Sequence, residues 1–231
     1  KYIGEKRLDI SKIKKAILTF NTENKFVKRD AEKIRGYFGT IYKEEDLFHN
    51  HAVNVLDHTV EKKVIYRMPL IQYKVINGNI TIVGFNEGVD ILSSKFLHID
   101  KIQIDNVFYY NFETQFTIME EEFAVVDEFF NYSFESLWLA INQKNYVDFM
   151  NQNLDLNKVL QNNILTNFKN LGIMVEKRII VDGYFKQRSV EIDNINHIAF
   201  KGNFKTNVII PDLMSFGRMR SIGFGTVRRD K

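Results

Sequence analysis

The sequence predicts an α+β protein made of two successive βαββαβ units packed together. Three observations predict this. β-rich and helical segments follow one another in that order through the first half. A second α+β series follows with no Pro-, Gly- or Ser-rich linker between. Apolar residues make up 45% of the chain, ample for packed cores.

Each element has a local reason. Lys14 to Phe20 alternates, with Ala16, Leu18 and Phe20 on one face, and reads as a strand. Lys28 to Tyr42 places Ala31, Ile34, Tyr37, Phe38 and Ile41 at helical spacing, with Lys28, Arg29, Lys33 and Arg35 opposite. Leu70 to Ile76 and Ile80 to Phe85 are β-rich, and Asn77-Gly78-Asn79 between them is a hairpin signal. Val89 to Leu97 reads as a compact helix, and Lys101 to Phe112 as the closing strand. This is the ferredoxin-like (RRM-like) order, and it assigns residues 1–112 to a first domain.

Residues 113–231 form the second. The acidic segment Gln115 to Val126 opens it as a strand, and Ser133 to Asn151 reads as a helix. Asp155 caps another helix, Leu156 to Leu171, which Gly172 closes. Arg178 to Phe185, Ser189 to Ala199 and Gly202 to Ile210 read as strands separated by polar turns, with a last strand from Gly223 to Arg228.

Composition narrows the chemistry. Cysteine is absent, which removes disulfides, thiolate catalysis and cysteine metal sites. No apolar run approaches the roughly 18 residues of a membrane span, and no secretory h-region follows the basic N-terminus. A cytoplasmic protein with no membrane association is expected. The net charge of +3 is unevenly spread. Residues 1–35 hold eleven Lys/Arg against five Asp/Glu, and 210–231 hold five against two. Residues 113–135 hold seven acids and no base. Two basic ends suit a polyanion if the fold joins them; solvated charged faces are the simpler account.

His49-Asn50-His51 with His58 is the concentration of titratable chemistry. Three readings stand: a His-x-His metal site, general acid and base near neutral pH, or surface histidines in a loop. Tyr42 and Lys43 lie just upstream with the helix cations, supplying a phenol and charges that can meet a phosphate. This set fits RNA transesterification, where the 2′-OH is the nucleophile and no metal or other cofactor is needed. Near the C-terminus, Gly217, Gly223 and Gly225 bracket Arg218 and Arg220, with Arg228 and Arg229 following. Glycines let backbone approach a ligand closely, and arginines suit phosphates; a tight turn with solvated arginines is the simpler account.

Residues 216–225 (FGRMRSIGFG) resemble the glycine-rich loop of the RAMP superfamily of CRISPR-associated proteins, and within it the repeat-RNA-processing endoribonucleases, the "Cas-six" family. Gly202 to Asn207 with Ile210-Pro211-Asp212, and Asn163-Ile164-Leu165, share the likeness. So do Ile34 to Phe38, Leu47 to His51 and Tyr66 to Lys74, which contains Pro-Leu-Ile-Gln-Tyr-Lys. The similarity runs over nearly the whole chain. It implies two tandem ferredoxin-like domains that cut CRISPR precursor RNA within each repeat, without metal, leaving a 2′,3′-cyclic phosphate and a 5′-OH. It places the acid/base histidine where His51 and His49 stand; Lys43, Tyr42 and His58 are added from neighbourhood. Lys28, Arg29, Lys33, Arg35 and the loop residues are the expected RNA contacts. Implied partners are repeat RNA and crRNA, with other effector subunits and a second copy of the chain as further candidates. A non-catalytic RNA-binding subunit of an effector complex is the alternative from another class, and a zinc nuclease using His49, His51 and His58 a third.

Overall fold

The structure is a computed structural model that describes residues 11–42, 51–53, 62–64 and 68–230. Two four-stranded antiparallel sheets carry the molecule. The first comprises β1 (Lys12–Asn21), β4 (Ile71–Ile76), β5 (Asn79–Phe85) and β8 (Glu113–Glu122), in the order β4-β5-β1-β8. The second comprises β9 (Ala124–Phe134), β10 (Val181–Ile192), β11 (Ile195–Ile209) and β12 (Val227–Arg229), in the order β10-β11-β9-β12. In each, the second and third strands form a hairpin and the first lies between the third and the fourth. This is the ferredoxin-like arrangement, present twice.

Helix α1 (Asp30–Ile41) buries Ala31, Ile34 and Phe38 against Ala16, Leu18 and Phe20 of β1, the face that the alternation of β1 predicts. The β4–β5 hairpin turns at Asn77 (φ 52°) and Gly78 (φ 77°), the paired positive φ of a type I′ turn. The predicted helix after it is α2 (Glu87–Ile91), continued by one π-type turn over Leu92–Phe96. Helix α4 (Leu156–Asn170) begins where Asp155 accepts from Asn157 N at 2.9 Å, and it ends before Gly172 at φ 71°.

Four expectations differ from what forms. Lys101 to Phe112 folds as a side hairpin, β6 (Lys101–Ile104) with β7 (Val107–Tyr110). The acidic strand, expected to open the second unit, completes the first sheet instead, pairing with β1 from Lys12↔Glu122 to Asn21↔Glu113. The first sheet thus extends past residue 112. The match is electrostatic as well as steric: Lys15 of β1, 1% exposed, meets Glu121 at 2.7 Å. Ser133 to Asn151 is not one helix. β9 runs through Phe134, an irregular segment follows, and only α3 (Tyr146–Met150) is helical. Trp138 decides this, because its backbone exchanges two 2.8 Å hydrogen bonds with Phe200 and its indole is buried. Finally, the three expected strands between Arg178 and Ile210 are the two long strands β10 and β11, turning at Asp193 (φ 50°) and Asn194 (φ 61°). Asp and Asn enter the left-handed region at little cost, so the chain reverses there.

One apolar core spans both units. Ile13, Val83 and Phe85 of the first sheet join Leu213, Met214 and Phe216 and the α4 residues Leu160, Ile164 and Phe168. Phe123, the residue between β8 and β9, stacks on Phe168 with ring centroids 3.7 Å apart. No helix among the described residues is long and apolar enough to cross a membrane.

Candidate nucleic-acid interface

The cations before and along α1 stand at a cleft of about 310 Å³ between the two units. Lys28, Arg29 and Lys33 line it on one side, and Glu135 to Leu137, Val190 to Asp193, Ile222 to Phe224 and the end of β4 line the rest. Glu135 gathers charge from three elements. Its carboxylate lies 3.7 Å from Lys28 Nζ and 3.8 Å from Arg228 Nε, and its carbonyl accepts from Lys201 Nζ at 2.9 Å and from Lys28 Nζ. Lys201 also donates to Phe134 O. Partial burial, then the neighbouring Lys28, holds the Lys201 ammonium below its ordinary pKa. Lys33 turns to Asp105 at 2.6 Å, whose hydrogen bond raises the lysine's pKa.

Further along α1, the charge of Arg35 acts on the Tyr73 hydroxyl, which is buried and has no hydrogen-bond partner among the described residues. Burial pushes the Tyr73 phenol up, and Arg35 opposes that. Tyr42 ends the helix, its hydroxyl donating to Lys95 O at 2.7 Å. Burial raises its pKa too, so it stays a phenol at neutral pH. His51 begins β2 (His51–Val53), which pairs with β3 (Lys62–Val64) through His51↔Val64. Lys43, His49 and His58 lie outside the described residues.

The glycine-rich segment is a packed turn. Arg220–Ile222 forms a single 3₁₀ turn between Met219 (φ 54°) and Gly223 (φ 84°). A side chain at Gly223 would come within 2.9 Å of Tyr73 O, so this glycine lets the second unit close on β4 of the first. At Gly225 (φ 67°) a Cβ would sit 1.9 Å from Phe216 O. Gly217 lies against Trp138 and Leu139.

The arginines divide by environment. Arg218 is exposed, with Nη1 donating to Ile141 O at 3.0 Å. Arg220 is largely enclosed and donates to Asn167 Oδ1 on α4; burial lowers its pKa to about 10, so it keeps its charge. Asn167 in turn donates to Ser215 O at 3.0 Å. Arg220 therefore ties the turn to α4. Arg228 and Arg229 are consecutive in β12 and face opposite ways: Arg228 toward Glu135, Arg229 over the Phe130 ring at 4.1 Å. The structure thus brings Lys28, Arg29, Lys33, Gly223 and Arg228 to one region, and holds Arg220 and Arg229 in others.

Lys74 is the buried group that charge counting misses. It is 2% exposed, and its Nζ reaches Gln72 Oε1 at 2.9 Å, Ser215 Oγ at 2.6 Å and Thr226 Oγ1 at 3.0 Å. It bridges β4 to the residues flanking the glycine turn, since Ser215 and Thr226 form an isolated bridge. Burial alone holds its ammonium well below the ordinary lysine value. The sequence signal is the alternation in Ile71–Ile76, which puts Gln72 and Lys74 on the face opposite Ile71, Tyr73 and Val75.

Comparison with known proteins follows this two-unit plan. Residues 11–122 match the Cas6b N-terminal domain, and residues 124–230 match the Cas6b C-terminal domain. A solved structure described as Cas6b is 30% identical, with a TM-score of 0.84, over 95% of this chain and 100% of that one. Another, described as a CRISPR RNA processing endoribonuclease Cas6b, is 27% identical with a TM-score of 0.72 over the same shares. An uncharacterized protein of Methanocaldococcus jannaschii is 35% identical over 115 residues, 47% of this chain and 78% of that protein. With both domains matched in order across the two sheets, the chain belongs to the Cas6b family.

Proposed function

We propose that this chain cuts CRISPR precursor RNA within its repeats to make crRNA, without a metal ion. The observation that carries the reading is the likeness to Cas6b proteins over 95% of the chain, in a chain whose His-Asn-His follows Lys28, Arg29, Lys33 and Arg35.

The chemistry needs two proton transfers and one charge to stabilise. An imidazole removes the 2′-OH proton, and the alkoxide attacks the adjacent phosphorus. A cation steadies the phosphorane, and an acid protonates the departing 5′-oxygen. The products are a 2′,3′-cyclic phosphate and a 5′-OH, with no water consumed. His51 and His49 share the proton transfers, His51 the principal of the two; an imidazole can both take and give a proton. Lys43 and His58 belong to the same proposed site, and Tyr42 contributes a neutral phenol. Lys28, Arg29 and Arg228 at the cleft, with the exposed Arg218, are the cations we assign to the phosphates; Arg220 supports them by fixing the glycine turn.

The test is cleavage of a cognate repeat RNA in EDTA. His51→Ala is expected to slow the single-turnover rate by about 10²- to 10⁴-fold, and a 2′-deoxy nucleotide at the scissile position is expected to resist cutting. Unchanged rates in both His51→Ala and His49→Ala would overturn the histidine assignment. Loss of wild-type cleavage in EDTA would overturn the metal-free chemistry.

A further inference from the structure

One face of the second sheet is covered by α4; the other is covered at one end, where Ile192 and Ala199 pack with Leu139, Met219 and Phe224, and is open around Tyr184. Leu160, Ile164 and Phe168 of α4 pack with Tyr132, Phe134 and Phe204 on the first. The other face is read from the strand register. Tyr184, Asn203, Ser133 and Arg228 lie in one row across the four strands. Lys186 and Lys201 form the row on one side, and Asp182, Lys205 and Asn131 the row on the other. Phe129 lies beyond on the same face, its ring 5.5 Å from Lys205 Nζ.

Two aromatic rings on this face stand in solvent: Tyr184 is 67% exposed and Phe129 44%. Around them Lys186, Lys201, Lys205 and Arg228 outnumber the neighbouring acids, Asp182 and the Glu135 that Arg228 faces. An exposed ring gains from a flat apolar partner, and the surrounding cations select one that carries negative charge. A single nucleic-acid strand has both properties, a stackable base and a phosphate at each step. The spacing suits it. Two strand intervals and four residues along β9 separate Tyr184 from Phe129 by roughly 16 Å, and a four-stranded sheet of this kind can stack about two or three bases. The face also continues from the cleft, because Lys201 and Arg228 meet Glu135, which Lys28 meets from the other side.

We propose that this open sheet face is a second RNA surface: it holds an unpaired segment of the transcript, with bases stacked on Tyr184 and Phe129 and phosphates met by Lys186, Lys201 and Lys205. The proposal rests on the reading of the substrate as RNA and is independent of which residues cut it.

The probe is fluorescein-labelled oligo(U), titrated by anisotropy into the full chain, beside oligo(U) carrying 4-thiouridine for cross-linking. Tyr184→Ala and Phe129→Ala are each expected to weaken binding about 5- to 100-fold, and Tyr184→Phe to restore it. Lys205→Ala is expected to flatten the salt dependence by about 0.7 in log–log slope. Cross-links are expected on peptides containing Tyr184 or Phe129. Wild-type affinity in both alanine variants, or cross-links confined to peptides of the glycine turn and α1, would overturn this surface and leave the nuclease reading standing. Unaltered cleavage by the histidine variants would overturn that catalytic site and leave this surface standing.

Discussion

Replacing Lys74 with Met tests whether a buried amine joins the two units at the cost of a pH-dependent penalty. Methionine has a similar length, fills the same space and does not titrate, so packing is largely kept. Three hydrogen bonds disappear, about 1 kcal/mol each in net terms. Ser215 and Thr226 retain each other at 3.0 Å, and Thr226 retains Gly223 O at 2.9 Å. Gln72 keeps Pro69 O through its amide nitrogen, leaving its Oε1 short of a donor, at about 1–3 kcal/mol. Against these losses stands relief from burying an amine with no carboxylate among its partners. At pH 7 the variant should fall within about 2 kcal/mol of wild type.

The decisive reading is the dependence on pH. The folded pKa of Lys74 lies well below the ordinary 10.5, so between those two values the unfolded chain holds a proton that the folded chain lacks. The penalty is complete below the folded pKa and is relieved as pH rises toward 10.5. Wild-type stability should therefore rise with pH relative to Lys74→Met, by up to about 1.4 kcal/mol per pH unit. For a chain of this size that is about 3–5 °C in Tm per unit. Guanidinium unfolding of both proteins from pH 7 to pH 10 measures the difference curve, in which other titrating groups cancel. Parallel curves would refute the reasoning, since they would mean that Lys74 titrates alike in both states.

Two further outcomes follow from the glycines and the cations. Gly225→Ala puts a Cβ 1.9 Å from Phe216 O at φ 67° and should cost more than about 3 kcal/mol. Gly172→Ala, at φ 71° with nothing within 4 Å, should cost about 1 kcal/mol; thermal melts showing equal losses would contradict the close packing of the turn. Repeat-RNA affinity should fall steeply with salt, and Arg218→Ala should reduce the log–log slope by about 0.7. A slope unchanged by Arg218→Ala would remove that residue from the phosphate contacts.

Much of the fold was legible where the signal is local. β1 and α1 announce themselves by periodicity, Asn77-Gly78 by turn chemistry, and α4 by its Asp155 cap and closing Gly172. The failures share a cause. Whether Lys101 to Phe112 or Glu113 to Glu122 becomes the fourth strand depends on which one β1 pairs with, and both are β-rich. Ser133 to Asn151 has helical spacing, but Trp138 gains more by burying its indole against Phe200. The family motifs and most of the cationic inventory were readable in the same way, as residue types in order.

What the sequence determined by itself was the element types, the paired-unit plan, the absence of thiol chemistry and the set of residues able to meet a phosphate. What only the tertiary structure decided was which of those residues are left to do so. Arg220 and Arg229 are the same residue type as Arg218 and Arg228, yet one is tied to Asn167 and the other lies on Phe130. Lys74 is spent on the joint between the units, while Tyr184 and Phe129 are left in solvent on a sheet with one helix-covered face. A side chain's chemistry is fixed by its own atoms; its availability is fixed by desolvation and by partners tens to hundreds of residues away, which no local pattern records.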